Sequence, residues 1–359
     1  MSLTLITLDY APNRGGVARY LSELVRASEG GIHNVVVQRD HDRTGPGEVL
    51  TRELFWHAWP KWLPMVRVCL EFKKTPLIVS HLLPVGTAAM IAKWMGGASY
   101  VVICHGLDVR LAASRPSKCW LAGLVLRNAS LVVANSASTA KTIKQITPER
   151  DAVVITPAVS VSEPITRQEA RKELGIREDE EIILSVGRLV QRKGFDLLLE
   201  ATERLKDRER VRTVIVGDGP ELPNLKQLAG HLKHPVQFIP DAADNDVATW
   251  YAAADVFCLP ARETSGDVEG FGIVYLEAAA HGLPVIAARS GGAIEAVVDG
   301  ETGILVPQDD VEALVDALRR LLGDAGLRKQ MGDAGRERAR RNFRWEDRWG
   351  QLKKALESD

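Results

Sequence analysis

Short continuous apolar runs alternate with helical patterns along most of this chain, and that alternation constrains the fold more than any other feature. In the C-terminal half, "EIILSVG" (181–187) precedes the helical "FDLLLEATERLK". "RTVIVG" (212–217) precedes "ELPNLKQLAGHL", and "VQFIP" (236–240) precedes "DVATWYAAA". "DVFCLP" (255–260), a helix from about Phe271, "PVIAA" (284–288) and "GAIEAVV" continue the series. Strands of four to six apolar residues without polar alternation are covered on both faces, which means βαβ units and a parallel sheet. The N-terminal half repeats the theme with "LTLITL", "NVVVQ", "LIVSH", "YVVICHG" and "LVVANS" as strands and "GVARYLSELVRA" as a helix. No period of solenoid length recurs.

With 359 residues, the chain exceeds one ordinary core and suits two domains. The aperiodic stretch "TPAVSVSEPITRQ" (156–168) is the best linker. The expected organisation is therefore an N-terminal domain over 1–160, a second over 161–340, and a last segment, 341–359. Two doubly wound α/β domains of this kind would face each other across a cleft, with ligands beyond the carboxyl ends of the strands.

Composition removes several classes. A net charge of −1 gives no global case for nucleic-acid binding. The four cysteines stand singly, without the paired spacing of a metal site, which suits a reducing compartment. The N-terminus has no basic leader, and Lys93 stops the longest apolar stretch short of a membrane span, so a cytoplasmic location is expected.

The motifs fall where strands end. "APNRGGVARY" (11–20) opens the first helix with Gly15 and Gly16, whose missing side chains let a phosphate approach free N–H groups; a tight strand-to-helix turn explains the pair equally well. "SVGRLVQRKG" places Arg188 and Lys193 after a strand, where two cations suit a diphosphate and a solvated basic loop is the plain alternative. His105 follows "YVVIC" and is placed either to reach a ligand or to serve as a satisfied structural histidine. "DND" (244–246) looks like a metal motif, but helix capping explains it more simply, and no metal is expected. "GDGP" (217–220) reads as a turn.

Two glutamates bracket a glycine-flanked helix start in "EGFGIVYLE": Glu269 in the loop and Glu277 in the helix. Neither carboxylate suits a phosphate, whereas each can accept from neighbouring hydroxyls. N–H groups around Gly270, Phe271, Gly272 and Ile273 would hold phosphates between them. Hydroxyls at both ends and a diphosphate in the middle describe a nucleotide sugar.

These residues resemble a known family. Glu269 to Glu277 is similar to the E-x7-E motif of retaining GT-B glycosyltransferases of family 4, and "GRLVQRKG", the early glycine pair, His105–Gly106 and "SGG" (290–292) resemble its other signatures in the same order. "PARETSGDVEGFGIVYLEA" is most similar to bacterial GDP-mannose-dependent phosphatidylinositol mannosyltransferases. The resemblance implies a GT-B fold whose last helix crosses back to the first domain. It also implies an N-terminal acceptor-binding domain and a C-terminal donor-binding domain.

By residue, it implies that Gly16, Arg188 and Lys193 bind the diphosphate, Glu277 the ribose, Glu269 the transferred sugar, and His105 the sugar and phosphate. The backbone near Ala242 would contact the base, although Pro240 stands where the family usually has glycine. Arg14 replaces the lysine of the family's glycogen synthases, which argues against that branch. The implied reaction is metal-independent and cofactor-free. Its implied mechanism is front-face attack, with the leaving phosphate taking the acceptor's proton. The partners would be GDP-mannose or a UDP-sugar and a glycan or lipid-linked acceptor. A nucleotide-sugar epimerase and a non-catalytic nucleotide-sugar-binding subunit are the alternatives.

"FWHAWPKWLPMVRVCLEFKK" (55–74) gathers Trp56, Trp59 and Trp62 among cations, as a peripheral membrane contact would on the inner face of a membrane. The spacing of Trp56, Trp59, Leu63, Val66 and Leu70 also fits a core-facing stripe, and Pro60 and Pro64 argue against one continuous helix.

Overall fold

The computed structural model describes residues 2–13, 15–56, 60–160, 165–205, 208–264 and 269–358. Arg14, Trp59, part of the expected linker (161–164) and Asp267–Val268 lie outside the described residues. The chain divides into two compact units, Met1–Ala158 with Trp345–Asp359, and Val159–Arg344.

The first unit holds a seven-stranded sheet in the order β3-β2-β1-β4-β5-β6-β7. Its strands are β1 (Leu3–Ile6), β2 (Ile32–Gln38), β3 (Glu48–Arg52), β4 (Leu77–Ser80), β5 (Tyr100–Cys104), β6 (Leu131–Ala134) and β7 (Val153–Val154). Every pairing is parallel. The order reverses between β1 and β4, so right-handed crossovers run to both faces and the sheet is doubly wound. The central strands are buried throughout, which explains their unbroken apolar runs. The strands β3 and β7 escape the sequence reading because they sit at the two edges, are short, and carry exposed or half-buried residues.

The second unit holds a six-stranded parallel sheet in the order β10-β9-β8-β11-β12-β13. The strands are β8 (Glu181–Val186), β9 (Val211–Val216), β10 (Val236–Ile239), β11 (Val256–Leu259), β12 (Val285–Ala288) and β13 (Gly303–Val306). Here the order reverses between β8 and β11. Ile183, Leu198, Val256, Ile286 and Leu318 form its core from strands and covering helices.

Local chemistry sets the boundaries. A helix Arg167–Glu173 starts inside the stretch read as linker, because Thr166 and Glu169 form a capping box: Glu169 N–H donates to Thr166 Oγ1 at 3.3 Å and Thr166 N–H to Glu169 Oε2 at 3.1 Å. Asp244–Asp246 form the first turn of a helix rather than preceding it, and Asp246 accepts from Ala243 N–H at 3.1 Å, a capping bond. Pro64 sits in the first turn of the helix Leu63–Glu71, where its missing N–H costs nothing. Val66 on that helix is buried while Trp56 and Leu63 are exposed, so the tryptophan-rich segment is divided between core and surface.

The last helix, Trp345–Ser358, belongs to the first unit. The Trp345 ring meets Tyr20 edge-on at 5.4 Å, and Trp349 covers Gly31, where any β-carbon would collide with the indole. Arg348 Nε donates to the Thr156 carbonyl at 3.0 Å.

Candidate active site

In each unit residues singled out by sequence follow the carboxyl ends of strands. His105 follows β5, one strand further on from the reversal in strand order, and Ala242 follows the edge strand β10. The Gly15–Gly16, Arg188–Lys193 and Glu269 loops follow β1, β8 and β11, beside the reversals at which doubly wound sheets bind ligands. In the second unit these are the loops after β8 and β11. Arg188, one residue beyond Gly187, is exposed and makes no ion pair among the described residues. Lys193 closes a 3₁₀ turn, Gln191–Lys193, and is buried. Gly194 follows in the left-handed region at φ 70°, where a β-carbon would collide with the Pro260 carbonyl. A side chain there would part the two loops.

Glu269 comes to the same place from the other loop. Its Oε2 receives Lys193 Nζ at 2.6 Å and Arg192 Nη1 at 2.7 Å. The carboxylate is buried, which favours the neutral acid, but Lys193 and then Arg192 outweigh that and hold its pKa below the ordinary glutamate value. Arg192 was not foreseen from sequence. The only signal was its place in "QRKG" beside the lysine, and adjacency along a chain does not say which side chain turns inward.

The helix expected from Phe271 starts two residues later, at Ile273, because Gly272 at φ 82° ends the loop in the left-handed region as its N-cap. Glu277 therefore lies in the second helical turn and is buried. Tyr251, on the helix Asp244–Ala253, donates its hydroxyl to Glu277 Oε2 at 3.0 Å and stacks on His281 at 5.2 Å. Tyr251 is the second partner missed, since its contact spans 26 residues and two helices. The N–H groups of Gly270, Phe271 and Gly272 donate to no group among the described residues. Gly292, in "SGG", packs against this loop: its N–H donates to Glu269 O at 3.0 Å, and a β-carbon would lie 2.6 Å from Phe271 Cα.

The remaining loops support these two. Leu189 N–H donates to Asp218 O at 2.8 Å, so "GDGP" is the expected turn and also a wall for the Arg188 loop. A β-carbon on Gly219 would lie 2.7 Å from Leu189 N. Ala242 is half-buried in the turn between β10 and the next helix.

In the first unit, Gly15 caps the helix Gly16–Ala27 in an extended conformation, and that helix has no acid in its first turn. Among the described residues nothing lies within 4 Å of where a Gly16 β-carbon would stand, so packing against them does not require glycine there. His105 directly follows β5. Its Nε2 and Ser80 Oγ share a hydrogen bond of 2.9 Å, and Tyr20 meets its ring edge-on at 5.5 Å. Asp108 accepts from His105 N–H at 2.9 Å and from Leu82 N–H at 3.0 Å, tying the ends of β5 and β4 together. Burial pushes the imidazole down to about 4, with Asp108 opposing and His81 assisting, so it is neutral at physiological pH. His81, beside it, adopts a left-handed φ of 81°, a strained conformation for a residue with a side chain.

Among the described residues no group of three or more histidine, cysteine or carboxylate side chains is arranged to hold a metal ion. No described helix is long and apolar enough to cross a membrane.

Two doubly wound parallel sheets, the last helix returned to the first, and paired buried glutamates around a glycine-rich helix start define a GT-B glycosyltransferase. Comparison with known proteins agrees: the family described as "Glycosyl transferases group 1" matches residues 166–338, and "Glycosyl transferase 4-like domain" matches 15–158. A GDP-mannose-dependent alpha-(1-6)-phosphatidylinositol monomannoside mannosyltransferase of Mycolicibacterium smegmatis is 31% identical across 99% of this chain and 98% of its own. A monoacylated-substrate counterpart from Corynebacterium glutamicum is 31% identical across 99% and 97%. Among solved structures, Anabaena HepE in complex with UDP is 21% identical, covers all of both chains, and superimposes with a TM-score of 0.84. The chain belongs to the glycosyltransferase group 1 family, with the family 4-like first domain, and is a retaining hexosyltransferase.

Proposed function

We propose that this enzyme transfers mannose from GDP-mannose to a hydroxyl of a lipid-linked or glycan acceptor, with the second unit holding the donor and the first the acceptor. The observation that carries the donor reading is the state of Glu269: buried, ionised, pinned through Oε2 by two cations, and with Oε1 free of partners among the described residues. A fixed carboxylate with one open oxygen accepts a sugar hydroxyl. Glu277, oriented by Tyr251, accepts from the ribose. Between them the N–H groups of Gly270–Gly272, unengaged among the described residues, meet phosphate oxygens, with Arg188 and Lys193 opposing the charge that grows on the leaving diphosphate. Gly15 and Gly16 give that group close approach, and His105, neutral, hydrogen-bonds the sugar rather than pairing with phosphate.

The base would lie by Ala242. Exposed Asp241 beside it can accept from the adjacent N1–H and N2–H groups of guanine, whereas uracil presents one N–H between two carbonyls. This, together with the two relatives named for GDP-mannose, favours GDP over UDP. Thermal-shift measurements with GDP, UDP and ADP, each with and without EDTA, test it. Stabilisation by GDP alone and unaffected by EDTA is expected; a preference for UDP discards mannose. Production of free sugar or nucleotide without an acceptor would point to an epimerase instead.

Peripheral membrane contact through 55–74 belongs to the same proposal. Phe55, Trp56 and Leu63 are exposed beside exposed Lys61, Arg67, Lys73 and Lys74, an apolar and cationic surface suited to anionic headgroups. Co-sedimentation with anionic vesicles at low salt is expected and should weaken in Trp56→Ser; no sedimentation of the parent protein counts against it.

A further inference from the structure

Both cations that meet Glu269 do so at one oxygen, Oε2, yet they are held differently. Lys193 ends in a flexible chain that runs beside Gly187, with Cε and Nζ 3.7 and 3.8 Å from where a Gly187 β-carbon would stand. It thus lies against the backbone that leads to Arg188. Arg192 is fixed from behind. Its carbonyl accepts from Arg262 N–H at 2.8 Å, and the Arg262 guanidinium donates to Gln191 O at 3.2 Å. That same guanidinium takes both oxygens of Asp196 at 2.6 Å and Asp309 at 3.1 Å. The turn that carries both residues is clamped at the Gln191 and Arg192 carbonyls. From it Lys193 reaches out on a flexible four-carbon stem that can change its partner, where the planar guanidinium of Arg192 is the stiffer group.

A buried carboxylate stripped of its only counter-charge takes up a proton or turns toward water. Were Lys193 the sole partner, drawing it to a diphosphate would cost Glu269 its charge and its place. We propose that Arg192 is a positioning residue for the transfer reaction: it keeps Glu269 held through Oε2, with Oε1 open to the sugar, while Lys193 leaves for the departing diphosphate. This rests on the roles given above to Glu269 and Lys193. Besides these two cations, the titratable group against Glu269 among the described residues is Tyr275, on the helix Ile273–Ala280, whose phenol is pushed well up by burial and by that carboxylate.

The test removes the ammonium by substitution and needs no ligand. Glutamate labelled with ¹³C at the side-chain carboxyl is titrated by NMR, with the Glu269 signal assigned from Glu269→Gln. In Lys193→Met, Glu269 is expected to stay ionised at neutral pH. In Lys193→Met combined with Arg192→Ala, its titration should move up by about one pH unit or more relative to Lys193→Met. Coincident titrations in those two proteins overturn the proposal.

Should the double variant not fold, Arg192→Ala alone decides through the pH profile of GDP-mannose turnover. The acid limb should move to higher pH and kcat fall roughly tenfold with little change in KM, and Arg192→Lys should restore both. An acid limb that stays where it is in the parent enzyme overturns it. Failure of the parent protein to use GDP-mannose would refute the donor assignment and leave the titration readable.

Discussion

Tyr251 and Glu277 stand on neighbouring helices and are joined by one hydrogen bond of 3.0 Å, phenol to Oε2, inside the second unit. The contact fixes which way the carboxylate faces. In Tyr251→Phe the ring keeps its stack on His281 and loses the bond. A hydrogen bond to a charged acceptor contributes about 1.5–3 kcal/mol. GDP affinity by calorimetry should fall roughly tenfold or more, while the melting temperature drops only modestly. Unchanged affinity would remove Glu277 from the donor site.

Two glycine substitutions should separate packing from ligand approach. A β-carbon at Gly292 runs into the Gly270–Phe271 backbone, so Gly292→Ala should cost about 1–3 kcal/mol of stability by urea denaturation. Gly16→Ala meets open space. It should fold with near-parental stability and lose GDP-mannose turnover, because the added methyl would stand in the space that the proposed function gives to phosphate.

The linkage of His105 has a definite sign. Its folded pKa, about 4, lies below the ordinary value of 6.5, so between those limits the unfolded chain binds the proton and the native protein does not. Stability contributed by the neutral ring is present in full above about pH 6.5, is lost as pH falls toward 4, and does not change further below that. The loss is of order 3 kcal/mol. Denaturation of the parent protein should weaken across pH 6.5–4.5 by more than that of His105→Gln; parallel decline in both would refute the assignment.

Asp255 should be the costliest carboxylate to remove from the second unit. It accepts from Arg171 and Arg167, each at 2.8 Å, and from Ile182 N–H at 2.8 Å. Arg171 is fully buried. Asp255→Ala leaves that guanidinium without its carboxylate, and a loss of about 3–5 kcal/mol by chemical denaturation is expected.

Arg188 and Lys193 carry the proposed charge stabilisation of the leaving group. Arg188→Ala and Lys193→Ala should each lower kcat by about two orders of magnitude or more. Intact turnover in both variants would show that the diphosphate is held elsewhere.

The sequence by itself determined the architecture. Runs such as "IILSV" and "VVIC" read as central parallel strands, because burial on both faces leaves almost no polar residue in them; Ser185 is the one exception in these two. The same periodicity put Arg188, Lys193, His105 and Glu269 in loops after strands and Glu277 in the helix that follows, since a sheet of this order has its ligand-binding edge there. Edge strands such as Glu48–Arg52 left no trace, being polar and half exposed, and the helix start moved from Phe271 to Ile273 because a left-handed glycine is visible only in its dihedral angle.

What only the tertiary structure decided is which charges meet. Arg192 and Lys193 are neighbours in sequence, and nothing in that order says that both reach one oxygen of Glu269, some 77 positions on. Ser80 and Asp108 around His105, and Tyr251 on Glu277, are contacts of the same kind. Local pattern reports the burial of a backbone segment. Pairing between side chains depends on how separate crossovers bring loop ends together, and that information lies in the assembled sheet.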